Sequence, residues 1–153
     1  NQQLLNQINS LLGEVNILQI FIAFIIYFLG GYLMYSSLFA AIGSAVDAEA
    51  DTQQFILPIT IPLILSFLLI QPVMDNPDGP LAFWMSIIPF TSPVIMMVRL
   101  PFGVENWELL LSMGVLVSSF ITCTWLAGRI YRVGILMYGK NISYKELWKW
   151  LSY

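Results

Sequence analysis

An all-α membrane protein is the fold class this sequence predicts, with three transmembrane helices, an outer re-entrant helix pair and a short cytoplasmic amphipathic helix. Three observations carry that expectation. The chain is 58% hydrophobic and only 10% charged, whereas an ordinary soluble domain is roughly one-quarter charged. Its mean hydropathy is +0.78. The charges are clustered, so that residues 15–46, 52–74, 79–98 and 109–128 contain none. A hydrocarbon core takes about 20 apolar residues to cross, and three of these runs are read as crossings, the proline-bearing 79–98 being the exception.

The first sixteen residues, NQQLLNQINSLLGEVN, lack the basic start and small-residue cleavage site of a signal peptide. With Asn1 at the head of the chain, the sequence reads as a piece of a larger membrane protein. The first span is expected over 17–46. As a helix it would measure about 45 Å against a core of about 30 Å, so it must tilt, break near Gly30 and Gly31, or project beyond the membrane. Its second half aligns small residues, Ser36, Ala40 and Ser44 beside Ser37, Ala41 and Ala45. Such a face admits another helix closely, with packing as its default meaning and the lining of a transport path as the sharper one.

A polar island follows, with Asp47, Glu49 and Asp51 inside GSAVDAEADTQQF. Ser44 with Asp47, and Asp51 with Gln54, have the spacing of helix starts, and acids in a first turn oppose the positive end of the helix dipole. Capping alone is a sufficient role for them. Solvated loop charge outweighs cation binding as the alternative, because carboxylates cost nothing in water.

The second span is expected over 55–74. The apolar run 79–98 carries Pro80, Pro89 and Pro93. Proline removes backbone donors, and broken backbone at membrane depth survives only where protein or a wet cavity covers it. Two short helices, 81–88 and 92–98, dipping in from outside and returning, are therefore preferred to a kinked full span. Arg99, just after them, is expected to snorkel at the outer interface. The last span covers 107–131, and Cys123 within it reads as a small buried hydrophobe.

Orientation follows from the cations. Five of the six, Arg129, Arg132, Lys140, Lys145 and Lys149, follow the last apolar run, which puts the tail, 132–153, in the cytoplasm. The island then faces the cytoplasm, while Asp75, Asp78, Glu105 and Glu108 lie outside. Within the tail, Ser143 and Glu146 form a capping box, and Tyr144, Leu147, Trp148 and Leu151 share one helix face. A helix on the inner membrane surface is expected there, with docking on a cytosolic partner as the alternative.

Much chemistry is excluded. Without histidine, neither a Ser-His nor a Cys-His mechanism can be assembled, nor a zinc site of the usual His and Cys kind. No phosphate-binding GxxxxGK[ST] loop occurs. No cofactor and no nucleic-acid partner is expected. The spans lack a deep charge of the sort ion-coupled carriers use, which points to a module energised from elsewhere.

Three stretches together resemble the C-terminal half of a type-2 ABC exporter permease, similar to the sodium and multidrug export subgroup. They are SSLFAAIGSAVDAEADTQQFILPITIPLILSF, with its Pro58 and Pro62; IIPFTSPVIMMVRLPFG, with Pro89, Thr91, Ser92, Pro93 and Arg99; and AGRIYRVGILMYGK, with Arg129 and Tyr131. The likeness covers residues 17–140. It implies the last three spans of a six-span permease in a bacterial inner membrane, paired with a second permease half or copy. A separate cytosolic ATP-binding subunit would hydrolyse ATP. On that likeness Asp47, Glu49, Asp51 and Gln53 are candidate partner-facing residues, and Pro89, Pro93 and Arg99 a candidate outer gate. A noncatalytic membrane assembly or anchoring module is the alternative function, and the substrate, whether sodium, drug or lipid, is not distinguished.

Overall fold

The computed structural model describes residues 2–3, 16–46, 49–136, 145 and 148–149, and all regular structure among them is helical. Helix α1 spans Ile17–Ala45. Asn16 starts it, its side-chain oxygen accepting from the Gln19 amide at 3.3 Å, as an N-cap should. Val46 ends it in an extended conformation. The helix runs unbroken through Gly30 and Gly31, so of the three expected ways to accommodate its length, a break there is ruled out. Those glycines serve packing instead. A Cβ on Gly30 would sit 3.0 Å from Leu116, and one on Gly31 would sit 2.9 Å from Pro93.

The next segment starts earlier than expected. Helix α2 covers Glu49–Leu68 and a short α3 covers Ile70–Asp75. Ser44 is no helix start: it lies in the last turn of α1 and donates to the Ala41 carbonyl at 2.8 Å. Glu49, Asp51 and Gln53 likewise belong to the first turns of α2 rather than to a loop, so Asp51 is inside the helix it was expected to cap. Acids there still oppose the helix dipole. Pro72 lacks an N–H for the Leu68 carbonyl, which accounts for the break at Leu69. The two pieces stay aligned through Leu69 N to Leu65 O and Val73 N to Leu69 O, both 3.0 Å. Pro58 and Pro62 remove two more backbone donors inside α2. Near them the Thr60 and Ser66 hydroxyls fold back onto the Ile56 and Pro62 carbonyls at 2.9 and 2.7 Å.

The proline-rich run forms a helical hairpin, α4 at Pro80–Ile87 and α5 at Ser92–Arg99. Pro80 and Pro93 stand in the first turns of their helices, where a missing N–H costs nothing. A 3-10 turn, Leu100–Phe102, follows, and Gly103 reverses the chain at φ 88°, a conformation glycine adopts without strain. Helix α6 spans Asn106–Leu136 with Glu108 in its first turn.

Helices α1 and α6 form the most extensive helix pair, and they run parallel. Gln19 meets Asn106 at one end, at 3.2 Å, Gly30 meets Leu116, and Gly134 meets Ser44 and Ala45 at the other. A parallel pair requires the chain between to return to its starting end. Helices α2 and α3 make that return, and the hairpin enters and leaves at the end where α6 begins. Tyr27, Met34, Met96, Leu100, Leu109, Leu116 and Cys123 form the main core, with Val73, Ala82 and Ile95 in a second cluster.

Among the described residues, α1 and α6 are the two helices long and apolar enough to cross a membrane. Only 22% and 17% of their most apolar stretches are buried. A soluble protein's core helix would be mostly buried, so the outward apolar faces, with Phe24, Phe28, Leu110 and Ile121 among them, suit lipid rather than water. The amphipathic helix expected in the tail falls outside the described residues, apart from Lys145, Trp148 and Lys149. Asp47 falls outside them as well.

Candidate functional site

The polar chemistry concentrates at the base of the hairpin. Arg99, the last residue of α5, does not snorkel: its side chain is 2% exposed and turned into the protein. Every edge of the guanidinium is engaged. Nε donates to the Pro77 carbonyl at 2.7 Å, Nη1 to Ser86 Oγ at 2.7 Å, and Nη2 to Glu108 Oε2 at 2.9 Å. One side chain thereby joins the turn before α4, α4 itself, α5 and the first turn of α6. A planar, permanently charged donor fork suits that task, and a lysine could not reproduce it. A buried guanidinium is tolerated only when paired and hydrogen-bonded, which explains why Glu108 and two neutral oxygens converge on it.

Ser86 continues the network inward. Its hydroxyl accepts from Arg99 and donates to the Phe83 carbonyl at 2.8 Å, while its carbonyl accepts from Ser112 on α6. At the hairpin turn the Thr91 hydroxyl bonds the Met85 carbonyl and closes the loop on itself. The tip is then pinned to α1. Tyr35 donates its hydroxyl to the Phe90 carbonyl at 2.7 Å, its ring meets that of Phe90 edge-on at 6.2 Å, and Pro93 occupies the space left by Gly31. Gln19 and Tyr35 are about 24 Å apart along α1. The hairpin therefore reaches deep between the long helices.

The candidate gate residues do not meet as a single cluster. Pro89 and Pro93 flank the turn at the tip, whereas Arg99 is at the base, about 9 Å further along α5. Of the partner-facing candidates, Glu49, Asp51 and Gln53 stand at the start of α2, at the opposite end of the bundle from Arg99. Tyr35, Ser86, Glu108 and Ser112 complete the hairpin network and were not singled out from the sequence as a group. The signal that would have found the serines and tyrosine is a polar atom inside an apolar run, where it must find an internal partner.

Two hollows flank the hairpin. An apolar groove of about 430 Å³ lies between α1, α2 and α5, with Tyr27, Phe28, Tyr32, Tyr35, Leu63 and Met97 on its walls. At the base, a polar hollow of about 520 Å³ is walled by Asp78, Phe83, Arg99, Glu105 and Glu108. No group of three or more potential metal ligands occurs among the described residues.

Comparison with known proteins completes the picture. A family model described as ABC-2 family transporter protein matches residues 4–129. The uncharacterized protein YhaP of Bacillus subtilis (strain 168) is 31% identical over 124 residues, which is 80% of this chain and 30% of the relative. The uncharacterized protein MJ1024 of Methanocaldococcus jannaschii is 31% identical over 126 residues, 82% of this chain and 31% of its own. The chain thus spans less than a third of the length of these curated relatives. No solved structure matches it.

Proposed function

The chain belongs to the ABC-2 transporter family, and on that premise we propose that it is the C-terminal, pathway-forming part of a permease that exports its substrate using a separate cytosolic ATPase. It is a membrane subunit and not itself the catalyst. In this reading α1, the α2 and α3 segment, and α6 are three crossings, the hairpin re-enters from the outer face of a bacterial inner membrane, and the tail lies in the cytoplasm. A second permease half or a second copy completes the pathway. The resemblance of the chain's sequence motifs to the sodium and multidrug export subgroup supports a place within that part of the family.

The docked hairpin is the observation that carries this reading. Arg99 fastens its base to α6, Tyr35 fastens its tip to α1, and α5 walls an apolar groove. A short helical pair held this way between two parallel helices can close one end of a passage without spanning it. Pro89, Pro93 and Arg99 then belong to an outer gate. Glu49, Asp51 and Gln53 belong to the first turns of α2 at the other end, and together with Asp47 they would offer three carboxylates and an amide to basic residues of the ATPase.

The test is ATP-dependent export from vesicles that contain the full-length permease and its neighbouring ATPase. Transport should stop when the ATPase is inactivated. With Asp47→Asn, Glu49→Gln and Asp51→Asn together, stimulated ATPase activity should fall while the permease stays folded. Nucleotide-independent behaviour across a panel of ions, drugs and lipids would instead favour a membrane assembly module.

A further inference from the structure

Helix α6 carries two exposed indoles, Trp107 at 53% and Trp125 at 55%. They are 18 residues apart, about 27 Å along the helix axis. Residues 109–128 carry no charge. A hydrocarbon core is about 30 Å thick, and tryptophan collects at both of its edges. Each indole is set as an interfacial ring should be, apolar body inward and polar groups close by. Trp107 packs on Phe83 of α4 with ring centroids 6.1 Å apart, and its indole N–H meets the Glu105 carboxylate. Trp84, beside Phe83, and Phe102 add exposed ring surface at that end. Trp125 bears the Arg129 guanidinium over its ring, 4.1 Å from the centroid, which keeps a cation at that level.

Leu116 is nine residues from each indole and marks the middle of the interval. The hairpin and α1 converge there. A Cβ on Gly30 would meet Leu116, and one on the neighbouring Gly31 would meet Pro93 at the start of α5. The hairpin therefore ends half-way between the two tryptophan levels. Its turn is furnished for that depth. The carbonyls of Met85, Ile88 and Phe90 accept from the Thr91 hydroxyl, the Ser92 amide and the Tyr35 hydroxyl. Water would make such internal pairing unnecessary, whereas hydrocarbon demands it.

We propose that Trp107 and Trp125 seat α6 at the two faces of the bilayer, so that the hairpin displaces lipid from one leaflet only and stops at the midplane. The lipid bilayer is the partner, selected by the match between indole separation and hydrocarbon thickness and by the charge-free interval. The inference rests on the reading that α6 crosses a membrane, and it needs neither export nor an ATPase. The Arg99 and Glu108 pair, beside Trp107, then lies at headgroup depth rather than in hydrocarbon. The apolar groove falls between the two levels, since its α1 wall runs from Phe24 to Phe39, about 9 Å and 13 Å to either side of Gly30. It faces acyl chains, not water. Gly134 meets Ser44 and Ala45 nine residues past Trp125. The surplus length of α1 and α6 therefore projects as a helix pair, about 13 Å beyond that face.

The experiment is a depth measurement on the full-length permease in vesicles of phosphatidylcholine and phosphatidylglycerol. Single nitroxide labels go on Leu110→Cys, Val117→Cys, Thr122→Cys and Ile88→Cys in a background with Cys123→Ala and no other cysteine. All four positions are exposed, so the labels spare the packing. Depth is read from collisions with oxygen against those with a water-soluble nickel chelate. Val117 and Ile88 should be deepest, and Leu110 and Thr122 should each lie about 9 Å from the midplane, on opposite sides. A depth maximum at Leu110 or Thr122 refutes the placement alone. An Ile88 label that meets nickel while Val117 stays deep refutes the immersed hairpin. Nickel reaching every label refutes the membrane-crossing helix and the placement together. Protein with its native cysteine supplies a second measurement, the fluorescence lost in Trp107→Phe and in Trp125→Phe. That share should be quenched more by bromine near the headgroup end of the acyl chain than by bromine at mid-chain, and the reverse order overturns the proposal.

Discussion

Arg99 and Glu108 meet at 2.9 Å across the turn that links the hairpin to α6, with side chains 2% and 15% exposed. The turn between them contains the 3-10 segment and Gly103 in its left-handed conformation. The ion pair closes that excursion, so that the hairpin's returning helix α5 and the first turn of α6 behave as one piece. Glu108 gains twice by its position, from the guanidinium and from the positive end of the α6 dipole.

Removing one partner should hurt more than removing both. Glu108→Ala leaves a buried guanidinium with neutral acceptors only, and should cost about 3 kcal/mol of stability. Arg99→Met combined with Glu108→Leu replaces the pair with apolar volume, and should recover much of that loss. Denaturation of the full-length permease in detergent, arranged as a double-mutant cycle, measures the coupling. Additive losses would show that the pair contributes nothing beyond its separate contacts.

The close approach of α1 and α6 makes a second prediction from two glycines. A Cβ at Gly134 would lie 2.6 Å from the Ser44 carbonyl oxygen, whereas one at Gly128 meets nothing within 4 Å. Backbone cannot yield as a side chain can, so Gly134→Ala should push the helices apart and cost roughly 1–3 kcal/mol. Gly128→Ala should be neutral or stabilising by up to about 1 kcal/mol, since alanine is the better helix former. Thermal melts of the two variants, side by side, decide this.

How much of this was legible in the sequence depends on the range of the interaction. Helix ends set by proline were readable, because the missing N–H acts within one turn: the hairpin helices start and stop within a residue of expectation. The break at Leu69 is of the same kind, yet the second span was expected unbroken over 55–74, because Pro72 was not weighed there. Arg99 was placed at the right end of the right helix but given the wrong environment. Its burial depends on Pro77, Ser86 and Glu108, which reach it only after the hairpin folds. Glu108 itself looked like an ordinary outer carboxylate. Gly30 and Gly31 looked like a weak point in a long helix, and only the positions of Leu116 and Pro93 turn them into contacts.

The hairpin tip should loosen without the Tyr35 hydroxyl. Tyr35→Phe keeps the ring against Phe90 and removes only the 2.7 Å bond to its carbonyl, at a cost of about 1 kcal/mol. That corresponds to roughly five-fold faster opening at the tip. Hydrogen exchange should therefore quicken for the amides of residues 88–92 and stay unchanged along the middle of α6. Exchange that rises equally in both places would mean the bond supports the whole bundle rather than the tip.

Three serines, chemically identical and all fully buried, should respond differently to alanine. Ser112 donates to the Ser86 carbonyl, and Ser86 accepts from Arg99. Ser92, at the start of α5, has no partner for its hydroxyl among the described residues. Ser112→Ala forfeits a hydrogen bond and strands an acceptor, so it should cost about 1 kcal/mol. Ser86→Ala removes an acceptor from a buried charge and should cost more, about 1.5–3 kcal/mol, as bonds to charged groups do. Ser92→Ala removes a polar atom whose burial nothing offsets, and should be neutral or stabilising. The order of the three melting temperatures is the test. A Ser92→Ala variant as damaged as Ser86→Ala would reveal a partner for that hydroxyl outside the described residues, and would place the tip of the hairpin, not its base, at the centre of the polar network.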